Sequence, residues 1–229
     1  MREKVLGNMK EFHSELFSKI ITYSFSQDRD VKKINSNFSL ANEQGFGGFC
    51  TDMSAYEYIS MEKTNNTDFV LSMNVPFNNL SHDTVENDLV LTETKEDSFV
   101  DKYLISCDRH LLEMGLWDHM SHFIDSCCSF TSKQVIFYLH EKWIIQPEDF
   151  SRLVSFFDNS NANICVELTS QDEKSIQNIN TNLSYCGANE KFLYFKDLKK
   201  HSMIFDLASM DFSSIFIPDY IGHKIFNEY

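Results

Sequence analysis

Polar, chemically capable side chains follow several apolar segments that have the composition of β-strands. Asp108 follows the first of these segments, His140 and Glu141 follow the second, and Glu167 lies in the third. Ligands of open α/β sheets bind in the crevice at the carboxyl ends of parallel strands. Carboxylates grouped there beside a histidine can hold Mg²⁺ for phosphoryl chemistry or act as general acid and base. These four residues are therefore the candidate catalytic groups of a hydrolase or nuclease.

The same positions also have an ordinary structural interpretation. Asp108 suits the N-cap of a helix, and Lys142, Lys196 and Lys199 can form ion pairs with nearby carboxylates. The chain has neither a Gly-x-Ser-x-Gly nucleophile motif nor a Gly-x-x-x-x-Gly-Lys phosphate loop. The carboxylate-lined crevice is therefore kept as an alternative, and the main prediction contains no catalytic residue.

Two histidines, His119 and His122, lie three residues apart in a segment with helical spacing of apolar residues. Side chains three and four apart on a helix can converge on one metal ion. The apolar stripe of this helix puts His119 at its margin and His122 on the water side. Since an exposed pair of this kind is more typical of a solvated helix face, we predict no metal site and no cofactor.

The first part of the chain predicts a helix followed by a β-hairpin. Residues 8–25 carry apolar side chains at intervals of three and four, the pattern of an amphipathic helix. The glycines within 45–48 predict a turn or bulge. Residues 69–75 alternate in the manner of a half-buried strand, and the polar sequence at 64–67 suits a turn after an earlier strand near 56–61. These patterns favour antiparallel pairing.

Beyond residue 101, apolar runs alternate with helical patterns. The runs are apolar on both faces, as in a covered sheet, and they lie at 103–106, 135–139, 164–168 and 192–195. One helix is predicted to start at Pro147 and another after a capping box of Ser170 and Glu173. Short apolar runs at 203–205 and 215–217 predict an antiparallel edge or a last hairpin. A right-handed βαβαβ unit is the simplest arrangement.

The predicted fold class is α/β or α+β, with an N-terminal helix and antiparallel hairpin followed by a βαβαβ-like mixed sheet covered by helices. Residues 1–82 form the predicted N-terminal subdomain, 83–101 an acidic connecting segment, and 102–229 the α/β subdomain. One continuous domain is the alternative.

The chain is strongly acidic, with 34 Asp and Glu against 20 Lys and Arg and a formal net charge of -14. Acids are concentrated near the middle of the chain, at Asp83, Glu86, Asp88, Glu93, Glu96, Asp97 and Asp101. A field of this sign repels nucleic acid and anionic membranes and speeds encounter with a basic partner. These seven carboxylates are the predicted partner-binding residues, and a solvated loop that maintains solubility is the alternative interpretation.

Together these features predict a non-enzymatic inhibitor. We expect a bacterial immunity or antitoxin-like protein that blocks a basic toxin, in particular a nuclease, by direct protein–protein contact and without binding nucleic acid or membrane. An adaptor or scaffold domain is a further alternative. The six cysteines are irregularly spaced, which suits reduced thiols in the cytoplasm better than a disulfide framework.

Overall fold

The computed structural model describes residues 12–27, 30–56, 58–59, 67–75, 99–107, 117–145, 162–185 and 190–228. Within these ranges, eight parallel strands close into a barrel in which strands that are consecutive in sequence are neighbours in space. The strands are β1 (Ile20–Tyr23), β2 (Gly48–Asp52), β3 (Asp68–Val75), β4 (Lys102–Cys107), β5 (Gln134–His140), β6 (Asn163–Glu167), β7 (Lys191–Tyr194) and β8 (Ser214–Pro218). β1 pairs with β8, which closes the ring.

Helices follow the strands along the chain. They are α1 (Val31–Glu43), α2 (Met53–Tyr56), α3 (Trp117–Phe130), α4 (Lys142–Ile145), α5 (Glu173–Tyr185), α6 (Met203–Ser209) and α7 (Asp219–Glu228). Residues 12–18 form a further helical segment that leads into β1. In the described part of the chain, no helix has the length and apolar character needed to cross a bilayer. The architecture is that of a (β/α)₈ or TIM barrel.

The predicted fold class is wrong, because the N-terminal hairpin and the mixed sheet do not exist in this barrel. β3 pairs in parallel with both β2 and β4, and Tyr56, where an antiparallel strand was expected, ends helix α2. Phe69, Val70 and Leu71 are all fully buried, so both faces of β3 are covered. The more polar side chain of Ser72 lines a cavity at the barrel opening. Alternation along β3 therefore reflects the inside and outside of a barrel rather than protein and solvent.

The end of the chain also differs from the prediction. Residues 203–205, predicted as a strand, begin helix α6, and residues 215–217 lie in β8 with parallel partners on both sides. Strands β1–β3 precede the acidic segment 83–101 and β4–β8 follow it, yet all belong to one closed sheet. The division of the chain at 83–101 stays a prediction, since only 99–101 of that segment is described.

Two hydrophobic layers hold the barrel together. The interior layer consists of Ile21, Tyr23, Cys50, Val70, Leu104, Ile136, Cys165, Phe192, Tyr194 and Phe216. The outer layer lies between sheet and helices, where Phe38 of α1 contacts Phe49 and Phe69 with ring centroids 5.5 and 5.4 Å away. Each fully buried phenyl group contributes about 1.5–3 kcal/mol. Because the interior is packed, a ligand can bind only at an end of the barrel.

The predicted turn at the glycine cluster is confirmed at Gly45, which has φ +72°. This residue follows the last turn of α1 and forms a Schellman motif. The Gly45 amide donates to the carbonyl of Asn42, and the Phe46 amide donates to the carbonyl of Ala41. Gly47 has a separate role, because a Cβ there would lie 1.9 Å from the carbonyl oxygen of Ser18.

Candidate active site

The carboxyl ends of the strands surround a cavity of about 420 Å³ at one opening of the barrel. Its polar walls include Asp52, Ser72, Ser106, Tyr138 and Lys196. These residues lie in the C-terminal halves of four different strands or, for Lys196, just after a fifth, so barrel closure alone brings them together. In TIM-barrel enzymes the active site lies at this face.

An ion pair between Lys196 and Glu167 lies at the opening. The Lys196 ammonium lies 2.6 Å from Glu167 Oε1, and Tyr138 donates a hydrogen bond to Glu167 Oε2. The Glu167 side chain is 8% exposed and that of Lys196 is 68% exposed. A buried carboxylate thus holds a solvent-accessible amine at the mouth of the barrel, where the amine can meet an entering ligand.

Three tyrosines support this ion pair from inside the barrel. The rings of Tyr23 and Tyr194 stack with centroids 4.7 Å apart, and Tyr138 meets Tyr194 edge to face at 5.0 Å. The Tyr23 hydroxyl donates to the carbonyl of Phe195 at 3.0 Å. Burial raises the pKa of Tyr138, and the hydrogen bond to Glu167 raises this pKa further. Tyr138 therefore stays protonated near neutral pH and remains a hydrogen-bond donor.

Asp52 is a second carboxylate at the opening, and the loop structure around it fixes its orientation. Its Oδ2 accepts from the amide of Ser26, and its Oδ1 accepts from the amide of Ala55 at 3.0 Å. The second contact caps the short helix α2. Asp52 therefore contributes negative charge to the cavity wall in a fixed position.

A second cavity, of about 370 Å³, adjoins the first. Phe25 and Lys196 line both cavities, while Pro218, Asp219 and Tyr220 line only the second. Asp219 is 5% exposed and accepts hydrogen bonds from the side-chain amide of Asn37 and from the Tyr220 amide. Lys196 therefore lies where the two cavities adjoin.

Glu167 is the sequence-predicted candidate that lies in this site. Glu141 is buried one loop away, where it accepts from the amides of Thr169 and Ser170 at 3.1 and 3.3 Å and so ties the β6–α5 loop to the end of β5. His140 accepts from the amide of Lys142 at 3.2 Å. Asp108 lies outside the described residues.

The other predicted site residues are placed only in part. Asp101 accepts a hydrogen bond of 2.7 Å from the amide of Phe69 and so helps to position β3. The six remaining predicted partner-binding acids lie outside the described residues. His122 is exposed on α3, and the side chain of His119 in the same helix is not described. Across the described ranges, no group of three or more His, Cys, Asp and Glu side chains could hold a metal ion.

Sequence reasoning considered Lys196 only as an ion-pair partner of the carboxylates, a pairing that the structure confirms with Glu167. It missed the roles of Tyr138 and Tyr194. Both tyrosines lie in strands that were predicted, and both occupy positions on the same inward face as buried neighbours two residues earlier. The period-2 pattern could have assigned them to the barrel interior if the sheet had been recognised as closed.

No family model matches this sequence, and no curated protein matches it either. Solved structures do match over nearly the whole chain. An aldolase named QR15 superposes with a TM-score of 0.72 at 11% identity, over 93% of this chain and 96% of that one. Deoxyribose phosphate aldolase from Aeropyrum pernix gives 0.63 at 13% identity, over 94% and 91%. A mutant tryptophan synthase α-subunit from Pyrococcus furiosus gives 0.60 at 14% identity, over 92% and 96%.

The fold is therefore that of the TIM-barrel class, and these similarities contradict the predicted immunity or antitoxin-like inhibitor. The matching chains carry the names of aldolases and of a tryptophan synthase subunit, and none of those names is that of a toxin inhibitor. The physical reason for the error is that net charge describes the outer surface. It carries no information about a concave opening assembled from strand ends.

Proposed function

We propose that this protein is an aldolase-type enzyme that makes or breaks a carbon–carbon bond next to a carbonyl group, through an imine on Lys196. The observation that carries this proposal is the Lys196 amine 2.6 Å from the buried Glu167 carboxylate at the barrel mouth. Amine nucleophiles form imines with carbonyl substrates and need an adjacent base for activation. Lys196 and Glu167 supply both groups at the face where barrel enzymes bind substrate.

The first step joins the substrate to the protein. Glu167 takes a proton from the Lys196 ammonium, and the free amine adds to the substrate carbonyl, so that a C–N bond forms while the C=O π bond opens to a hydroxyl group. Glu167 returns its proton to that hydroxyl group, which leaves as water, so that a protonated imine and the Glu167 carboxylate remain. Glu167 is within hydrogen-bond reach of the amine, which is the geometric requirement for a general base.

The second step cleaves the carbon–carbon bond. Glu167 accepts the proton of the substrate's β-hydroxyl group, and that carbon becomes the carbonyl of the departing product. The electrons of the broken bond move to the imine nitrogen and form an enamine. Protonation of the enamine and addition of water then release the second product and restore the amine. Tyr138 donates to Glu167 throughout and keeps the carboxylate in place.

The walls of the cavity suit this chemistry. Leu104, Phe25 and Tyr194 provide apolar surface, and Ser72 and Ser106 provide hydroxyl groups that can bind the oxygens of a small carbonyl compound. Among the described residues, Cys50 and Cys165 are free cysteines with fully buried side chains. Reduced thiols of this kind support our further proposal that the enzyme works in the cytoplasm.

Reductive trapping tests the proposal directly. The protein is incubated with small ketones and aldehydes, such as acetaldehyde and dihydroxyacetone, in the presence of borohydride, which converts an imine to a stable amine. Peptide mass spectrometry is expected to find the added mass on Lys196. Lys196→Met is expected to abolish the modification.

Lys199→Met is the matched control, because Lys199 is exposed on the same loop and contacts the rest of the protein through its backbone amide. This variant is expected to be trapped at the wild-type rate. Equal labelling of Lys196 and Lys199, or persistent labelling of the Lys196→Met variant at the wild-type rate, would contradict an imine mechanism at this site.

A further inference from the structure

The inward side chains of the barrel form layers, and one layer contains a small residue among large ones. In TIM barrels each layer consists of four side chains from alternate strands. Because the strands are tilted, the register partner on each following strand lies about one residue farther from the mouth. The registers therefore place four inward side chains of β1, β3, β5 and β7 at one level, and these are Tyr23, Ser72, Tyr138 and Tyr194. We call this set the tyrosine layer.

Contacts within the tyrosine layer show where it is incomplete. Tyr194 stacks on Tyr23 and meets Tyr138 edge to face, so three rings occupy the β1, β5 and β7 sides of the layer. On the β3 side, Ser72 is half-buried and lines the first cavity. A serine side chain is far smaller than a phenol ring. The layer therefore leaves space beside β3.

The next layer down reaches the cavity at the same place. Its inward side chains come from β2, β4, β6 and β8, and they are Cys50, Leu104, Cys165 and Phe216. Leu104 is the register partner of Ser72 and lines the first cavity. The other three side chains are fully buried. The first cavity therefore extends into a recess, with Ser72 at its side and the apolar Leu104 as its floor.

This recess lies across the barrel from the proposed nucleophile. β3 and β7 are separated by four steps in either direction around the closed ring, so they face each other across the barrel axis. Lys196 follows β7 by two residues, and it lines the same cavity as Ser72 and Leu104. A carbonyl compound joined to the Lys196 amine can therefore extend its chain across the cavity and into the recess.

From this geometry we propose that Ser72 determines the length of the carbonyl substrate, and that the recess holds the end of an aliphatic chain longer than that of acetaldehyde. The chain end packs on Leu104, where burial of its methylene groups stabilises the complex. A larger side chain at position 72 would occupy the same space, because barrel interiors are closely packed. This inference rests on the imine chemistry proposed for Lys196 and names the substrate class of that site.

Trapping with aldehydes of increasing chain length tests the inference. Acetaldehyde, butanal and hexanal are each titrated against the protein with borohydride, and the concentration that half-saturates labelling of Lys196 is measured by peptide mass spectrometry. Labelling of the exposed Lys199 in the same samples corrects for the intrinsic reactivity of each aldehyde. We expect the corrected value for hexanal to be lower than that for acetaldehyde by about tenfold or more, because methylene groups enter an apolar recess. Equal corrected values would overturn the inference.

Variants of Ser72 with side chains of increasing volume locate the effect. Ser72→Ala leaves the recess open and is expected to keep the preference for hexanal. Ser72→Val and Ser72→Leu fill the recess in two steps, and we expect them to raise the half-saturating concentration of hexanal by about tenfold and by more than that, respectively. The value for acetaldehyde is expected to stay within about twofold, because its chain is too short to enter the recess. Wild-type labelling by acetaldehyde also shows that each variant is folded.

Ser209→Leu is the matched control, since it makes the same change at an exposed position at the end of α6. It is expected to leave all three concentrations unchanged. If no aldehyde labels Lys196, the imine mechanism is wrong and the substrate inference is overturned with it. If Lys196 is labelled and the Ser72 variants change the values for acetaldehyde and hexanal by the same factor, or change neither, the imine mechanism stands and the role assigned to Ser72 is wrong.

Discussion

At the scale of single residues, Glu167 links the interior of the barrel to its mouth. One oxygen contacts the Lys196 amine and the other accepts the Tyr138 hydroxyl. The side chain is 8% exposed, so its charge acts where water screens it weakly. Because Tyr138 keeps its proton, its hydroxyl group is a permanent donor to one oxygen of the Glu167 carboxylate. The other oxygen contacts the Lys196 ammonium, which carries the proton that is transferred in the proposed mechanism.

The Glu167→Gln variant tests this role. Glutamine keeps the size of the side chain and can still accept from Tyr138, but it cannot take a proton from Lys196. Imine trapping by borohydride with acetaldehyde is expected to slow about 100-fold. The rate of labelling of Lys196, measured by mass spectrometry, checks this expectation.

Glu173→Gln is the control for that variant, because it makes the same chemical change at a residue in the exposed first turn of α5. Its trapping rate is expected to equal that of the wild type. If Glu167→Gln kept the wild-type rate while its thermal unfolding temperature stayed unchanged, Glu167 would not be the base.

At the scale of elements, β-branched residues and helix-capping residues set the ends of helices and strands, which hydrophobic periodicity alone predicts wrongly. The predicted helix at 8–25 ends at residue 18, and Ile20, Ile21 and Thr22 enter β1 instead. β-branched side chains favour strands because their χ1 angles are restricted in helices. The helix predicted from Ser170 and Glu173 does form, but its first turn is capped by Asp172, which accepts from the Ser175 amide at 2.9 Å.

A prediction at this scale concerns the end of α1. Gly45 has φ +72°, and a Cβ there would meet nothing within 4 Å, so strain of the backbone is the main cost of a substitution. Gly45→Ala is expected to lower the free energy of unfolding by about 1 kcal/mol. Urea denaturation followed by circular dichroism measures this change.

Glu43→Ala, in the right-handed helical turn just before Gly45, is the control. Its side chain is exposed, and the change is expected to stay within about 0.5 kcal/mol. A Gly45→Ala variant as stable as the wild type would show that the Schellman geometry is not required in solution.

At the scale of the whole molecule, closure of the sheet makes the strands mutually dependent. β1 bonds to β2 on one side and to β8 on the other, so the two ends of the chain support each other. We expect urea unfolding to be a single transition, in which tryptophan fluorescence and far-ultraviolet circular dichroism coincide. Trp143 is 7% exposed and so reports on burial at α4. Two separated transitions would instead support independent subdomains on either side of residues 83–101.

Much of the secondary structure could be read from the sequence by itself. The apolar runs at 103–106, 135–139, 164–168 and 192–195 coincide with β4, β5, β6 and β7 to within one or two residues. Their composition predicts burial on both faces of each strand, and this holds in the barrel. The apolar pattern and the burial have the same cause, which is the removal of apolar side chains from water.

Only the tertiary structure decided the direction of β1–β3, the closure of the sheet and the position of the candidate active site. Strand direction and ring closure depend on contacts between residues far apart in sequence, such as Ile20 with Ile215, and no local pattern encodes these. Glu167 and Lys196 likewise meet because neighbouring strands of a closed barrel turn their last inward side chains toward one axis. Local chemistry determined which elements form, and long-range packing determined which side chains face each other.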